Sequence, residues 1–142
     1  MKKILITFGG LVVIIALVVT YNVTFSANYR EPNIKGVEIA VITNEHHSNE
    51  TMTSAEDALI KNFKEEFKGC TLKKIYYNEV DDKYLDGKYN NETYHEVVVL
   101  LAEFSTDGKQ EVLNLNDTYK DYKFVIARKT DTSEYRVIDS FK

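Results

Sequence analysis

Residues 93–104 read Thr-Tyr-His-Glu-Val-Val-Val-Leu-Leu-Ala-Glu-Phe, with an unbroken apolar run from Val97 to Ala102. Alternation of polar and apolar residues would mark a strand with one wet face. A continuous β-branched and aliphatic run instead marks a strand buried on both faces, and hence central in its sheet. Covering both faces of Val97–Ala102 calls for a sharply curved sheet, the segment that leads into the domain, or a second molecule.

Working outward, Leu72–Val80 (LKKIYYNEV) has a period of two and predicts a second strand. Residues 81–92 (DDKYLDGKYNNE) are rich in turn formers and predict a loop. Tyr119–Lys129 and Glu134–Phe141, separated by Thr130-Asp131-Thr132-Ser133, predict a closing hairpin. Upstream, Ala55, Leu59, Phe63 and Phe67 recur at a spacing of four, with Ile60 beside them, on one face of a helix. Thr53-Ser54-Ala55-Glu56 has the form of a capping box at its start, and Gly69 stands where a left-handed cap would end it. Residues 44–52 predict a loop, and Val37–Thr43 a short strand or an extended lead-in. The expected fold class is α+β, with one amphipathic helix packed on an antiparallel sheet of four or more strands.

The N-terminus has a different character. After Lys2 and Lys3 the chain is apolar from Ile4 to Tyr21, and no charge appears before Arg30. Eighteen helical residues span roughly 27 Å, close to the hydrocarbon thickness of a bilayer. Residues 1–27 are therefore expected to form a membrane anchor inserted through residues 4–21. The two lysines keep the N-terminus cytoplasmic, and the C-terminal domain is then outside. Cleavage is the alternative: Thr24 and Ser26 are small enough to precede a mature start at Ala27, which would give a secreted protein. Residues 28–36, which hold Pro32, read as a linker, and 37–142 as the extracytoplasmic domain.

The chain carries 18 basic and 22 acidic residues; without Lys2 and Lys3 the balance is 16 to 22, a net charge of −6. A nucleic-acid partner needs a basic patch, so none is expected. A lone cysteine, Cys70, forms no internal disulfide and reads as a buried thiol at the junction of helix and strand. Glu45, His46, His47 and Glu50 hold metal-ligand chemistry, but no second ligand pair follows at a structural spacing, so no metal is expected. Asp82–Thr93 begins like a calcium loop, yet Tyr84 and Thr93 stand where oxygen ligands belong. No cofactor-binding motif is present, and none is expected.

Phe67-Lys68-Gly69-Cys70-Thr71-Leu72 and Ile75-Tyr76-Tyr77-Asn78-Glu79 resemble an uncharacterised family of exported or membrane-anchored proteins of Gram-positive bacteria. So do Val97–Leu101, Leu115–Tyr119, Tyr122–Arg128 and Tyr135–Asp139. That family is similar to the nuclear-transport-factor-2-like cone, a bent antiparallel sheet wrapped around a helix. The resemblance implies fold and location and brings no activity with it. Family members often carry tryptophan where this chain has Tyr122, Phe124 and Tyr135, and this chain has no tryptophan.

Ten tyrosines and seven phenylalanines suit strand packing, and they also suit an aromatic-lined concave site. Tyr77, Tyr94, Tyr122 and Phe124 are the candidate ligand-binding residues. No catalytic set stands out. The expected function is a membrane-anchored, extracytoplasmic binding or interaction module, with homodimerisation through the Val97–Ala102 face as a further expectation. A cone-fold enzyme is the alternative; it needs an isolated buried carboxylate beside a tyrosine, for which Asp121 and Asp139 are the candidates.

Overall fold

The computed structural model describes residues 31–40, 44–90, 93–109 and 112–142. The expected anchor at residues 1–27 lies outside them. Among the described residues, no helix is long and apolar enough to cross a membrane.

Five strands form one mixed sheet in the order of the sequence: β1 (Glu38–Ala40), β2 (Cys70–Tyr77), β3 (Glu96–Thr106), β4 (Thr118–Arg128) and β5 (Arg136–Phe141). Two helices, α1 (Asn49–Glu66) and α2 (Glu79–Tyr89), fall between β1 and β2 and between β2 and β3. The expected α+β class holds, with two corrections. The sheet is not wholly antiparallel, because β1 pairs with β2 in parallel through Glu38–Lys74, Ile39–Ile75 and Ala40–Tyr76. Parallel neighbours need a crossover, and α1 supplies it. The second correction is the number of helices. The segment expected to be a turn-rich loop, 81–92, is helical as far as Tyr89.

That second helix explains the run from Val97 to Ala102. On β3, Val98, Leu100, Ala102 and Phe104 pack beneath α1 against Ala55, Leu59 and Phe63. Val97 and Val99 point the other way, to Leu85 of α2 and to Val125 and Ala127 of β4. Both faces of the central strand are thus covered within one chain.

Helix α1 begins earlier than its capping box suggests. Its N-cap is Ser48, whose Oγ accepts from the Thr51 amide at 3.1 Å, so Thr51 and Met52 are buried helical residues rather than loop. At the other end Gly69 takes φ +70°, the left-handed conformation its position implies. The chain is also tied to the sheet ahead of β1: the Asn33 amide donates to the Cys70 carbonyl at 2.9 Å, and the Leu72 amide to the Asn33 carbonyl at 2.8 Å.

The α1 face of the sheet is filled by rings. Phe63 stacks on Phe67 with centroids 4.8 Å apart, and Phe104 on Tyr119 at 5.1 Å. Tyr122 meets Phe67, Phe104 and Phe124 at angles between 53° and 89°. Edge-to-face and offset arrangements of this kind are the favourable ones for aromatic quadrupoles.

Candidate functional site

Strand β2 stops at Tyr77, opposite Leu100, while β3 runs on to Glu96. The edge of β3 from Glu96 to Val99 therefore lacks its β2 neighbour, and a charged side chain takes the vacated place. Asp82, in the first turn of α2, accepts the Val99 amide on Oδ1 at 2.8 Å. Its Oδ2 accepts the Tyr77 hydroxyl at 2.8 Å and lies 2.9 Å from His47 Nε2. Only 2% of Asp82 is exposed. A buried carboxylate is tolerated when donors surround it, and here three do.

The local sequence puts Asp82 there. Asn78 caps α2, its Oδ1 accepting from the Val80 amide at 2.9 Å and the Asp81 amide at 3.2 Å. Glu79, Asp81 and Asp82 then place negative charge in the first turn, where the helix dipole favours it. Lys83 and Glu79 add an ion pair at 2.6 Å one turn apart.

His47 is the other centre. Its amide and that of His46 both donate to Asn44 Oδ1, at 2.8 and 2.9 Å, which fixes the turn before α1. The His47 side chain is 9% exposed and sits between two acids. Asp82 of α2 is bonded at Nε2, and Glu96 Oε1 of β3 lies 3.6 Å from Nδ1, within ion-pair range but too far for a hydrogen bond. Among the described residues, Nδ1 is buried with no hydrogen-bond partner. The Tyr77 ring meets the imidazole edge-on at 6.3 Å. Burial disfavours the charged ring, but the hydrogen bond and charge of Asp82, with the charge of Glu96, outweigh it and raise the His47 pKa above 6.5.

Glu96 is held from the far side. Its Oε2 accepts from Arg128 Nη2 at 2.7 Å and from the Tyr135 hydroxyl at 2.5 Å. The Arg128 guanidinium lies 4.9 Å from the centroid of the Tyr135 ring. Burial works against the Glu96 charge, yet Tyr135, Arg128 and His47 together hold its pKa below the usual 4.5. The same logic in reverse raises Tyr77 and Tyr135: burial first, then the neighbouring carboxylate, keeps both phenols neutral.

A polar cleft of about 230 Å³ opens over this network, lined by His46, His47, Asp82, Asp86, His95 and Glu96 together with Lys83 and Asn90. Most of the charges are already matched. His46 lies 2.9 Å from Glu79, His95 pairs with Asp131, and Lys83 pairs with Glu79. Asp86 differs: it accepts the Asn90 side-chain amide at 3.1 Å and, among the described residues, has no ion pair. Among those residues no group of three His, Cys, Asp or Glu side chains is placed to hold a metal ion.

The four aromatic residues singled out from the sequence are not brought together. Phe124 is fully buried in the core beneath α1, and Tyr122 packs against the same core. Tyr94 lies on the opposite face, against the cluster of Leu85, Val97, Val99, Val125 and Ala127. Tyr77 alone joins the polar network, through Asp82. The two acids considered for proton transfer are exposed. Asp121 bonds Tyr76 and Asp139 bonds Tyr89. Cys70 is buried, its thiol directed to the Lys68 carbonyl at 3.7 Å.

Sequence reasoning did not single out Asp82 or Glu96. Asp82 carries a signal, an acid four residues after Asn78, a residue suited to cap a helix, but the strand pattern of 72–80 and the turn formers of 81–92 mask it. Glu96 had none, since its partners come from 32 and 39 residues away.

What fold and site define is an α+β domain with a helix on each face of a five-stranded sheet and an acid–imidazole cleft at one end of its central strand. No family model, curated protein or solved structure matches this chain.

Proposed function

We propose that this protein is a membrane-anchored, extracytoplasmic binding module whose cleft takes a small ligand with a cationic, donor-rich end. The observation that carries this is Asp86, a cleft-lining carboxylate with no cationic partner among the described residues, set among acids and imidazoles that are already engaged. An ammonium group entering the cleft meets Asp86 directly and is drawn by the surplus of acid around it. The anchor is supported by the apolar length of residues 4–21 and the lysines before it. The cone-like likeness belongs to the same reading, with the ring cluster around Tyr122 under α1 as the region it concerns.

Binding is favoured over proton transfer because Asp82, the buried carboxylate beside a tyrosine, is not isolated. Both its oxygens are engaged, by Val99, Tyr77 and His47. A general base needs a lone pair that a substrate can reach.

Screening primary amines and polyamines by amide chemical-shift perturbation on the full chain tests the proposal. Shifts confined to residues 46–47, 82–90 and 95–97, and lost in Asp86→Asn, are the expected result. Amines that shift nothing there, while a neutral or anionic compound does, would overturn the ligand class.

A further inference from the structure

His47 stands where three elements meet, beside the His46–Glu79 pair that also links its turn to α2. It stands immediately before the Ser48 cap of α1, its Nε2 is bonded to α2, and its Nδ1 faces β3. A protonated imidazole has an N–H on each nitrogen and satisfies both sides at once. A neutral imidazole has one. If that proton stays on Nε2 for Asp82, Nδ1 turns a lone pair toward the Glu96 carboxylate 3.6 Å away. If it moves to Nδ1, Nε2 turns a lone pair toward Asp82 at 2.9 Å. Neither tautomer satisfies both acids.

The surrounding charges make the same demand. From α2 the ring is faced by Asp82, with Glu79 and Lys83 one step away at His46. From β3 it is faced by Glu96, which Arg128 of β4 and Tyr135 ahead of β5 hold on the other oxygen. From β2 comes Tyr77, and from α1 the Thr51 hydroxyl, 3.3 Å from that of Tyr135. The phenols stay neutral, so two carboxylates face one guanidinium, and only a charged His47 balances them.

We propose that His47 is a pH-sensitive clasp: protonated, it fastens the turn before α1 to α2 and β3 and closes one wall of the cleft; neutral, it releases that turn and widens the cleft. The cleft wall is part of this inference and the identity of any ligand is not, so it stands or falls apart from the binding proposal. The direction is set by chemistry. Protonation closes the clasp at acidic pH, and a rise in pH through the His47 transition opens it.

The test combines imidazole NMR titration with amide exchange on the full chain at about pH 6 and about pH 8, corrected for intrinsic rates, since a histidine switch acts in that range. The expected result is a His47 midpoint above 6.5 and a loss of protection at residues 46–52. That loss should be roughly tenfold for each unit of midpoint shift. Glu96→Gln, which keeps the side-chain shape, should lower the midpoint and shrink the change. His47→Gln should abolish it, and if that variant fails to fold, Glu96→Gln carries the test alone. Protection at 46–52 that is equal at both pH values in the native chain would overturn the clasp. So would a His47 midpoint at or below 6.5.

Discussion

Asp82 carries three loads on one carboxylate: it ends the ladder of β3 at Val99, anchors the Tyr77 hydroxyl, and holds His47. Removing it leaves an unpaired buried amide and a buried imidazole without its acid. Asp82→Ala is expected to cost about 3–5 kcal/mol, as for breaking a buried charged pair. Urea denaturation measures it, and a loss below about 1 kcal/mol, the scale of an exposed pair, would show that the network is not load-sharing. Asp121 poses a smaller problem at the same scale. It takes φ +56° inside β4, where the β3–β4 register slips, and its amide donates to the Tyr76 hydroxyl at 2.9 Å. Left-handed backbone is costly for a residue with a Cβ, and Tyr76 answers by bonding both the amide and the carboxylate. Tyr76→Phe should therefore destabilise by about 1 kcal/mol, and much less in an Asp121→Gly background. A double-mutant cycle with no coupling would refute that account.

At the scale of elements, α2 is the weak member. Its only buried apolar side chain is Leu85, while Val80 and Tyr84 are exposed. It also carries Gly87 in its interior, where an added Cβ would meet nothing within 4 Å. Gly87→Ala should stabilise the protein by about 0.5–1 kcal/mol, read as a rise in the thermal midpoint. The contrary glycine is Gly69, with φ +70° and a Cβ position 3.0 Å from Asp107 Oδ1. Gly69→Ala should cost roughly 1–2 kcal/mol, since the strained backbone leaves no alternative. Equal effects at the two sites would show that neither backbone reading holds. These features also explain what the sequence hid. Helix α1 was legible because Ala55, Leu59 and Phe63 repeat at helical spacing over a buried face. Helix α2 was not, because one buried leucine makes no period and Asp82, its second buried residue, reads as a loop residue.

For the whole molecule, the two charged centres set opposite limits on stability. The His47 pKa is raised, so its contribution is full below 6.5 and is lost as pH rises through the folded value. The Glu96 pKa is lowered, so its contribution is full above 4.5 and is lost as pH falls through the folded value. The thermal midpoint should therefore peak between 4.5 and 6.5 and fall on both sides. The alkaline fall should be removed by His47→Gln, and an alkaline limb that survives in that variant would assign it to another group. The expected anchor is tested at this scale too, by fractionating the full chain with membranes and probing its domain with protease from outside. By itself the sequence determined the α+β class, the central place of β3, the closing β4–β5 hairpin and the left-handed Gly69, because each depends on neighbours within a few residues. Only the tertiary structure decided the rest. It set α2 rather than a second molecule over Val97 and Val99, paired β1 in parallel with β2, and gathered His47, Asp82 and Glu96 at one strand end. Asp82 and Glu96 lie 35 and 49 positions along the chain from His47, and contacts at that separation leave no period for local sequence to display.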